Sequence, residues 1–314
     1  MSVCTIPQFR SAFKVTVVGC GNVGAAAAYA MLMDGTPTEL ALIDRHSEKA
    51  EGLRLDYEHS MAFFDYTKLL AGSDASVAKD SNLVVITAGA RQQEGETRLD
   101  LYKKNRELFE ELIPPLVKAA PNALFLIVSN PVDLLTLDAL RISGLPENRV
   151  FGSGTWLDSA RFQFHLSEKL CISPKSIDAY VLGEHGDTSF PVWSSATVAG
   201  KPLKDFPGFT PQVAEECYDL TRKAAYRIIH DLGYTCYSIG IVIKEVMVNV
   251  FKHSRIVVPL SVKLHDYYGH SDIALSVPCI LDSTGIVDVL TVPLDETEQA
   301  KFAHSVETLR SFLK

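Results

Sequence analysis

The chain has 314 residues, a formal net charge of −8 and 47% hydrophobic residues, enough apolar material for one large or two moderate cores. The acidic balance argues against nucleic acid, which needs a basic face, and no apolar run approaches the roughly 20 residues that span a bilayer. The start MSVCTIPQFRSAFK lacks the apolar core of a secretory signal, and the six scattered cysteines form no CxxC pair, so a soluble cytoplasmic protein with reduced thiols and no metal site is expected.

KVTVVG (14–19) reads as a buried strand and AAAAYAMLMDG (25–35) as a helix apolar enough to need cover. ELALID (39–44) is a second strand, and SEKAEGLRLDYEHSM (47–61) has helical periodicity with Ser47 as its N-cap. LVVITAG (83–89) and LFLIVSNP (124–131) are further apolar strands with a helix over 98–120 between them. Strands alternating with helices imply βαβ units, a parallel sheet and right-handed crossovers. Beyond about residue 150 the texture changes. A helix is expected over 155–170, then a strand pair from AYVLGEHGD (179–187) and VWSSATVAG (192–200). A helical tract follows over 211–252, broken near Gly233, with strands at 254–264 and 274–287 and a closing amphipathic helix over 295–313.

Gly19-Cys20-Gly21-Asn22-Val23-Gly24 is a G-x-G-x-x-G between the first strand and its helix. Asp44 ends the next strand, 20 residues on from Gly24. A glycine turn can serve packing alone, but strand, turn, helix, strand and acid together make the dinucleotide context. The glycines let a pyrophosphate approach the helix N-terminus, where Asn22 and Val23 stand. Asp44 would accept the ribose hydroxyls and repel a 2′-phosphate, which favours NAD over NADP, although Arg45 beside it could receive a phosphate. The expected fold is α/β: a Rossmann-type doubly wound parallel sheet over 1–150, with a short arm at 1–12, then a smaller α+β domain over 151–314 packed against it.

Three further stretches bear chemistry. Asp158 and Arg161 in GTWLDSARF are three apart on a helix, so they share a face; a plain surface ion pair would look the same. His185 in GEHGD is flanked by glycines, yet most lone histidines are structural. GARQQEGETRLDL (89–101) sets Arg98 in a polar segment directly after an apolar strand, facing either solvent or a substrate.

In order and spacing, GCGNVG, GARQQEGETRLDL, VSNPVD, GTWLDSARF, GEHGD and GYTCYSIG resemble the L-lactate/malate dehydrogenase family, nearest its L-lactate members. The likeness runs from about residue 13 to the C-terminal helix. It implies an NAD-dependent oxidoreductase that interconverts pyruvate and L-lactate between two domains. By that resemblance His185 is the general acid and base, suited by an ordinary pKa of about 6.5. Asp158 fixes its tautomer, and Arg161 grips the substrate carboxylate through two parallel hydrogen bonds. Arg98, on a closing lid, polarises the ketone. Asn130 meets the substrate or the nicotinamide edge, Thr235 lines the pocket, and Ile239 lies against the nicotinamide ring.

The resemblance also places Gln92 where the malate-specific members have an arginine. A neutral side chain there would leave the second carboxylate of oxaloacetate unpaired under the lid, which favours pyruvate. Members activated by fructose 1,6-bisphosphate carry an arginine and a histidine where this chain has Gln163 and Asp178, so no such activation is expected. The family is usually a homotetramer, with a dimer the alternative here. A malate dehydrogenase, a broader L-2-hydroxyacid dehydrogenase, or a binding protein without turnover are the other readings.

Overall fold

The computed structural model describes residues 12–63, 65–90 and 97–313, with Arg98 described by its backbone alone. Six strands lie parallel: β1 (Lys14–Val18), β2 (Glu39–Ile43), β3 (Lys68–Gly72), β4 (Leu83–Ile86), β5 (Leu124–Ile127) and β6 (Val150–Gly152). Their order is β3-β2-β1-β4-β5-β6. Between them run α1 (Asn22–Asp34), α2 (Ser47–His59), α3 (Arg98–Ala119) and α4 (Val132–Ser143). Every residue of β4 and β5 is buried. Strand side chains alternate between faces, so both faces of this sheet are covered, as a doubly wound fold requires. The order reverses between β1 and β4, which makes a crevice at the carboxyl ends of the strands.

The second half contains α5 (Trp156–Leu170) and the two-residue strands β7 (Ile177–Asp178), β8 (Val181–Leu182), β9 (Phe190–Pro191), β10 (Thr197–Val198) and β11 (Lys201–Pro202). Helices α6 (Pro211–Leu232) and α7 (Tyr237–Phe251), strands β12 (Ile256–Lys263), β13 (Ala274–Asp282) and β14 (Gly285–Val289), and α8 (Glu296–Leu313) complete it. The β12–β14 meander is antiparallel and joins β6 through Ser261 and Gly152, so one nine-stranded sheet runs through both halves of the chain. A second, smaller core of Phe162, Leu166, Ile177, Val181, Val198 and Leu203 lies around α5.

The apolar α1 has its expected cover. The sheet takes one side, and α7 packs so closely that a Cβ on Gly240 would lie 3.0 Å from the Ala26 carbonyl carbon. Several expectations need correction. Ser47 is already helical and His46 holds the N-cap position, its N–H donating to Asp44 Oδ1 at 3.0 Å. The runs 179–187 and 192–200 do not pair as one hairpin: β8 pairs with β9, while β10 lies between β7 and β11. Gly183, at φ +94, turns the chain after only two strand residues. The run 274–287 is two strands, split where Thr284 N donates to Asp282 Oδ1 at 3.1 Å. Strands β3 and β6 and helix α4 were not foreseen. Among the described residues no helix is long and apolar enough to cross a membrane.

Candidate active site

Gly19 leaves β1 at φ +99, and a Cβ there would lie 2.5 Å from Ala88 N; one on Gly24 would lie 1.9 Å from Gly19 O. Both positions are closed to any other residue by backbone contact. Gly21 differs. It is the N-cap of α1, a Cβ on it would meet nothing within 4 Å, and no side chain caps the helix. Open space therefore stands before uncapped N–H groups led by Asn22 and Val23, which suits a pyrophosphate. Asp44 Oδ2 accepts from Cys20 N at 2.8 Å, so the acid is set directly on the glycine turn with lone pairs left for ribose hydroxyls. Arg45 Nε donates to His46 Nε2 at 3.1 Å. The residues present fit NAD.

Asp158 and Arg161 stand at the start of α5, which is stapled to the strand leading into GEHGD. Thr155 Oγ1 donates to Val181 O, and Val181 N donates to Ser159 Oγ at 2.9 Å. Beyond β8, Gly183 exchanges main-chain bonds of 3.1 and 3.0 Å with Ser276 of β13. These ties bring His185 Nδ1 to 2.8 Å from Asp158 Oδ2, while Asp158 Oδ1 accepts from Arg161 Nη1 at 3.0 Å. The three side chains are 28%, 16% and 14% exposed for His185, Asp158 and Arg161. Burial pushes the His185 imidazolium down, but Asp158 and, less strongly, Asp133 outweigh it, and the ring titrates above its ordinary value. Burial likewise pushes Asp158 up, but His185 and Arg161 hold its carboxyl below the ordinary range. A protonated ring donates from Nδ1 to Asp158 and leaves Nε2 for a reacting oxygen. Arg161 keeps N–H groups beyond the one used here, enough to hold a carboxylate.

Asn130 follows β5 at the carboxyl edge, joined by a cis peptide to Pro131. Thr235 is half-buried in the break between α6 and α7, and Ile239 in the first turn of α7 is carried towards the start of α1 by the Gly240–Ala26 contact. Arg98 opens α3, where Thr97 and Asp100 form a capping box. Gln92, with the segment around it that the sequence reading expects to close as a lid, lies outside the described residues. Residues not foreseen complete the site. Asp133, in the first turn of α4 and 2% exposed, accepts from His185 N at 2.7 Å (Oδ2) and from Ser261 Oγ at 2.6 Å (Oδ1). Burial pushes its carboxyl up to about 6, against both hydrogen bonds. It ties α4, β12 and the histidine loop together, and the loop of Asn130 thereby adjoins that of His185. The one sequence signal was its place at the end of VSNPVD. No group of His, Cys, Asp or Glu among the described residues is arranged to hold a metal.

Comparison with known proteins agrees with this geometry. Residues 13–152 match the lactate/malate dehydrogenase NAD-binding domain, and residues 155–314 match the lactate/malate dehydrogenase α/β C-terminal domain. The L-lactate dehydrogenase A chain of Pelodiscus sinensis japonicus is 44% identical over 302 residues, 94% of this chain and 91% of that protein. The same chain of Ambystoma mexicanum is 43% identical over the same shares. Among solved structures, the minor L-lactate dehydrogenase of Enterococcus mundtii, in a ligand-bound form, superposes with a TM-score of 0.92 at 36% identity, covering 96% of this chain and 98% of that one. A lactate dehydrogenase from a Medee basin deep-sea metagenome library gives the same TM-score, identity and coverage. The glycine cradle with its acid, the carboxylate-backed histidine and the matches over both halves converge on one conclusion: the chain belongs to the lactate/malate dehydrogenase family and carries that family's NAD-binding domain.

Proposed function

We propose that the protein is an L-lactate dehydrogenase, interconverting pyruvate and L-lactate with NAD. The observation that carries the reading is His185 at 2.8 Å from Asp158, whose second oxygen holds Arg161 at 3.0 Å. NADH, when bound, supplies the hydride that reduces the ketone carbon. His185 gives its Nε2 proton to the ketone oxygen, and in the reverse direction takes the hydroxyl proton as base. Asp158 keeps Nδ1 protonated and stabilises the imidazolium. Arg161 binds the substrate carboxylate, and its place one turn along α5 from Asp158 sets the direction from carboxylate to ketone. Arg98 polarises the ketone, Asn130 and Thr235 line the substrate site, and Ile239 backs the nicotinamide. Gly19, Gly21, Asn22, Val23, Gly24 and Asp44 hold the dinucleotide. Gln92, being neutral, selects the methyl of pyruvate over a second carboxylate. The names of the A-chain relatives support the same substrate pair.

The domains divide near residue 150, and the protein acts as a homotetramer in the cytoplasm, in glycolysis. The free thiols of Cys20, Cys171, Cys217, Cys236 and Cys279 are consistent with a reducing compartment. With Asp178 exposed, and with Gln163 donating to Ala179 O at 3.1 Å, fructose 1,6-bisphosphate does not activate it. NADH oxidation measured with pyruvate, oxaloacetate and longer 2-keto acids tests the reading. The highest kcat/KM is expected for pyruvate. A preference for oxaloacetate would make it a malate dehydrogenase, and no turnover with any of them would refute an enzyme. Light scattering distinguishes tetramer from dimer.

A further inference from the structure

Asn105 lies two turns into α3, 1% exposed, with both ends of its carboxamide bonded to main chain of other segments. Its Oδ1 accepts from Ala90 N at 2.7 Å, and its Nδ2 donates to Asn130 O at 2.7 Å. Neither partner belongs to the sheet, because β4 ends at Ile86 and β5 at Ile127. Ser129 Oγ adds a tie between the same two loops by donating to Ala88 O at 2.6 Å. A Cβ on Gly89 would lie 3.4 Å from both Asn105 Oδ1 and Ser129 Cβ, so the three segments meet in contact. Helix α3 is joined to α4 as well, through Arg106 Nε at 3.8 Å from Asp138 Oδ1.

We propose that Asn105 is a positioning residue for the substrate site: it fixes the main chain of Asn130 and of Ala90 against α3, and so sets where Asn130 and the helix that begins with Arg98 stand. Arg98 precedes Asn105 by close to two helical turns, so both lie on one side of α3. The inference rests on the assignment of Asn130 to the substrate site. The chemistry calls for an amide. One loop presents a buried N–H and the other a carbonyl oxygen, and a carboxamide offers an acceptor and a donor at fixed spacing without titrating. An aspartate could accept from Ala90 but would set its second oxygen against the Asn130 carbonyl. Only when protonated would it donate there.

That asymmetry supplies the test. Asn105→Ala loses both bonds at every pH. Asn105→Asp keeps the bond to Ala90 and regains the one to Asn130 on protonation, which burial brings towards neutral pH. Residues 86–90 and 129–131 carry no titratable side chain; α4 brings Asp133 and Asp138 to this region, and α3 brings Tyr102, Lys104 and Arg106. In both variants kcat/KM for pyruvate should fall about 10- to 100-fold at neutral pH, as expected for an unpaired buried group. NADH affinity measured by fluorescence should stay at the parental value. As pH falls, Asn105→Asp should recover relative to the parental enzyme while Asn105→Ala does not. Parental kcat/KM in Asn105→Ala, or one constant ratio between the two variants at every pH, overturns the proposal; the constant ratio is what a purely structural role would give. If Asn105→Ala does not fold, the recovery of Asn105→Asp decides alone. Asn130→Ala serves as the control. Parental activity there refutes the substrate assignment of Asn130, whereas loss there with parental activity in Asn105→Ala refutes only the role of Asn105.

Discussion

Replacing Asp158 by asparagine keeps the size of the side chain and removes the charge that His185 meets at 2.8 Å. With charge centres about 4 Å apart and an effective dielectric of about 20, imidazolium and carboxylate attract by about 4 kcal/mol. Arg161 shares the carboxylate at 3.0 Å, and the partly exposed ring admits solvent, so about 2–3 kcal/mol is the expected loss, a factor of about 100 in the loaded acid. In the variant, burial and Arg161 both push His185 down with only Asp133 opposing. Pyruvate reduction needs the protonated ring, so its kcat/KM should fall about 100-fold at neutral pH and its alkaline limb should move to lower pH. Lactate oxidation should fall too, because the ring becomes a weaker base. Steady-state pH profiles in both directions read this. A drop by one factor at all pH values, with no movement of the limb, would refute the electrostatic argument. Stability should follow the same pair. His185, raised in the fold, contributes below its free value of about 6.5 and loses this as pH rises through the raised value. Asp158, lowered in the fold, contributes above its free value of about 3.9 and loses this as pH falls through the lowered value. The Tm gap between parent and variant should therefore be widest between about pH 4 and 6.5.

Arg161→Lys should raise KM for pyruvate about 100-fold while leaving NADH affinity intact, because an ammonium cannot make two parallel bonds to a carboxylate; unchanged KM would remove Arg161 from carboxylate binding. Gly21→Ala should fold with a near-parental Tm yet bind NADH weakly, since its methyl enters only the open space before α1. Gly24→Ala should lower Tm sharply, because its Cβ would lie 1.9 Å from Gly19 O; equal Tm losses in the two variants would contradict the cradle. Gln92→Arg should raise kcat/KM for oxaloacetate and lower it for pyruvate, and no rise with oxaloacetate would dismiss Gln92 as the selector.

What the sequence shows depends on how each group acts. Gly19, Gly24 and Asp44 were legible because their spacing follows from local strand, turn and helix geometry, although α1 begins at Asn22, three residues before the expected start. The pairing of Asp158 with Arg161 was legible from helical periodicity, and His185 from its flanking glycines and the family likeness. Asp133, Asn105, Thr155 and Ser159 were not. Each acts on main-chain atoms of a segment far off in sequence, and such bonds leave no period behind. Strand β6, three residues of VFG, was too short to stand out, and β3 is an edge strand whose KLLAG has no clean alternation. The antiparallel join of β12 to β6 was hidden for the same reason, since it depends on one contact between Ser261 and Gly152.

These hidden residues share a task. The site is built beyond the ends of β1, β2, β4, β5 and β6, where ladder hydrogen bonds no longer fix the chain. There Asp44 holds Cys20 N, Asn105 holds Ala90 N and Asn130 O, and Asp133 holds His185 N. Burying a carboxylate such as Asp133 costs several kcal/mol, and its two charge-assisted bonds offset this by about 1.5–3 kcal/mol each. The two nearly cancel, so net stability does not explain the choice of an acid over an apolar residue. Position does: one carboxylate fixes the histidine's main chain against two separate elements while its charge lifts the ring's pKa. An apolar side chain of equal volume could fill that space but could not aim His185 at Asp158.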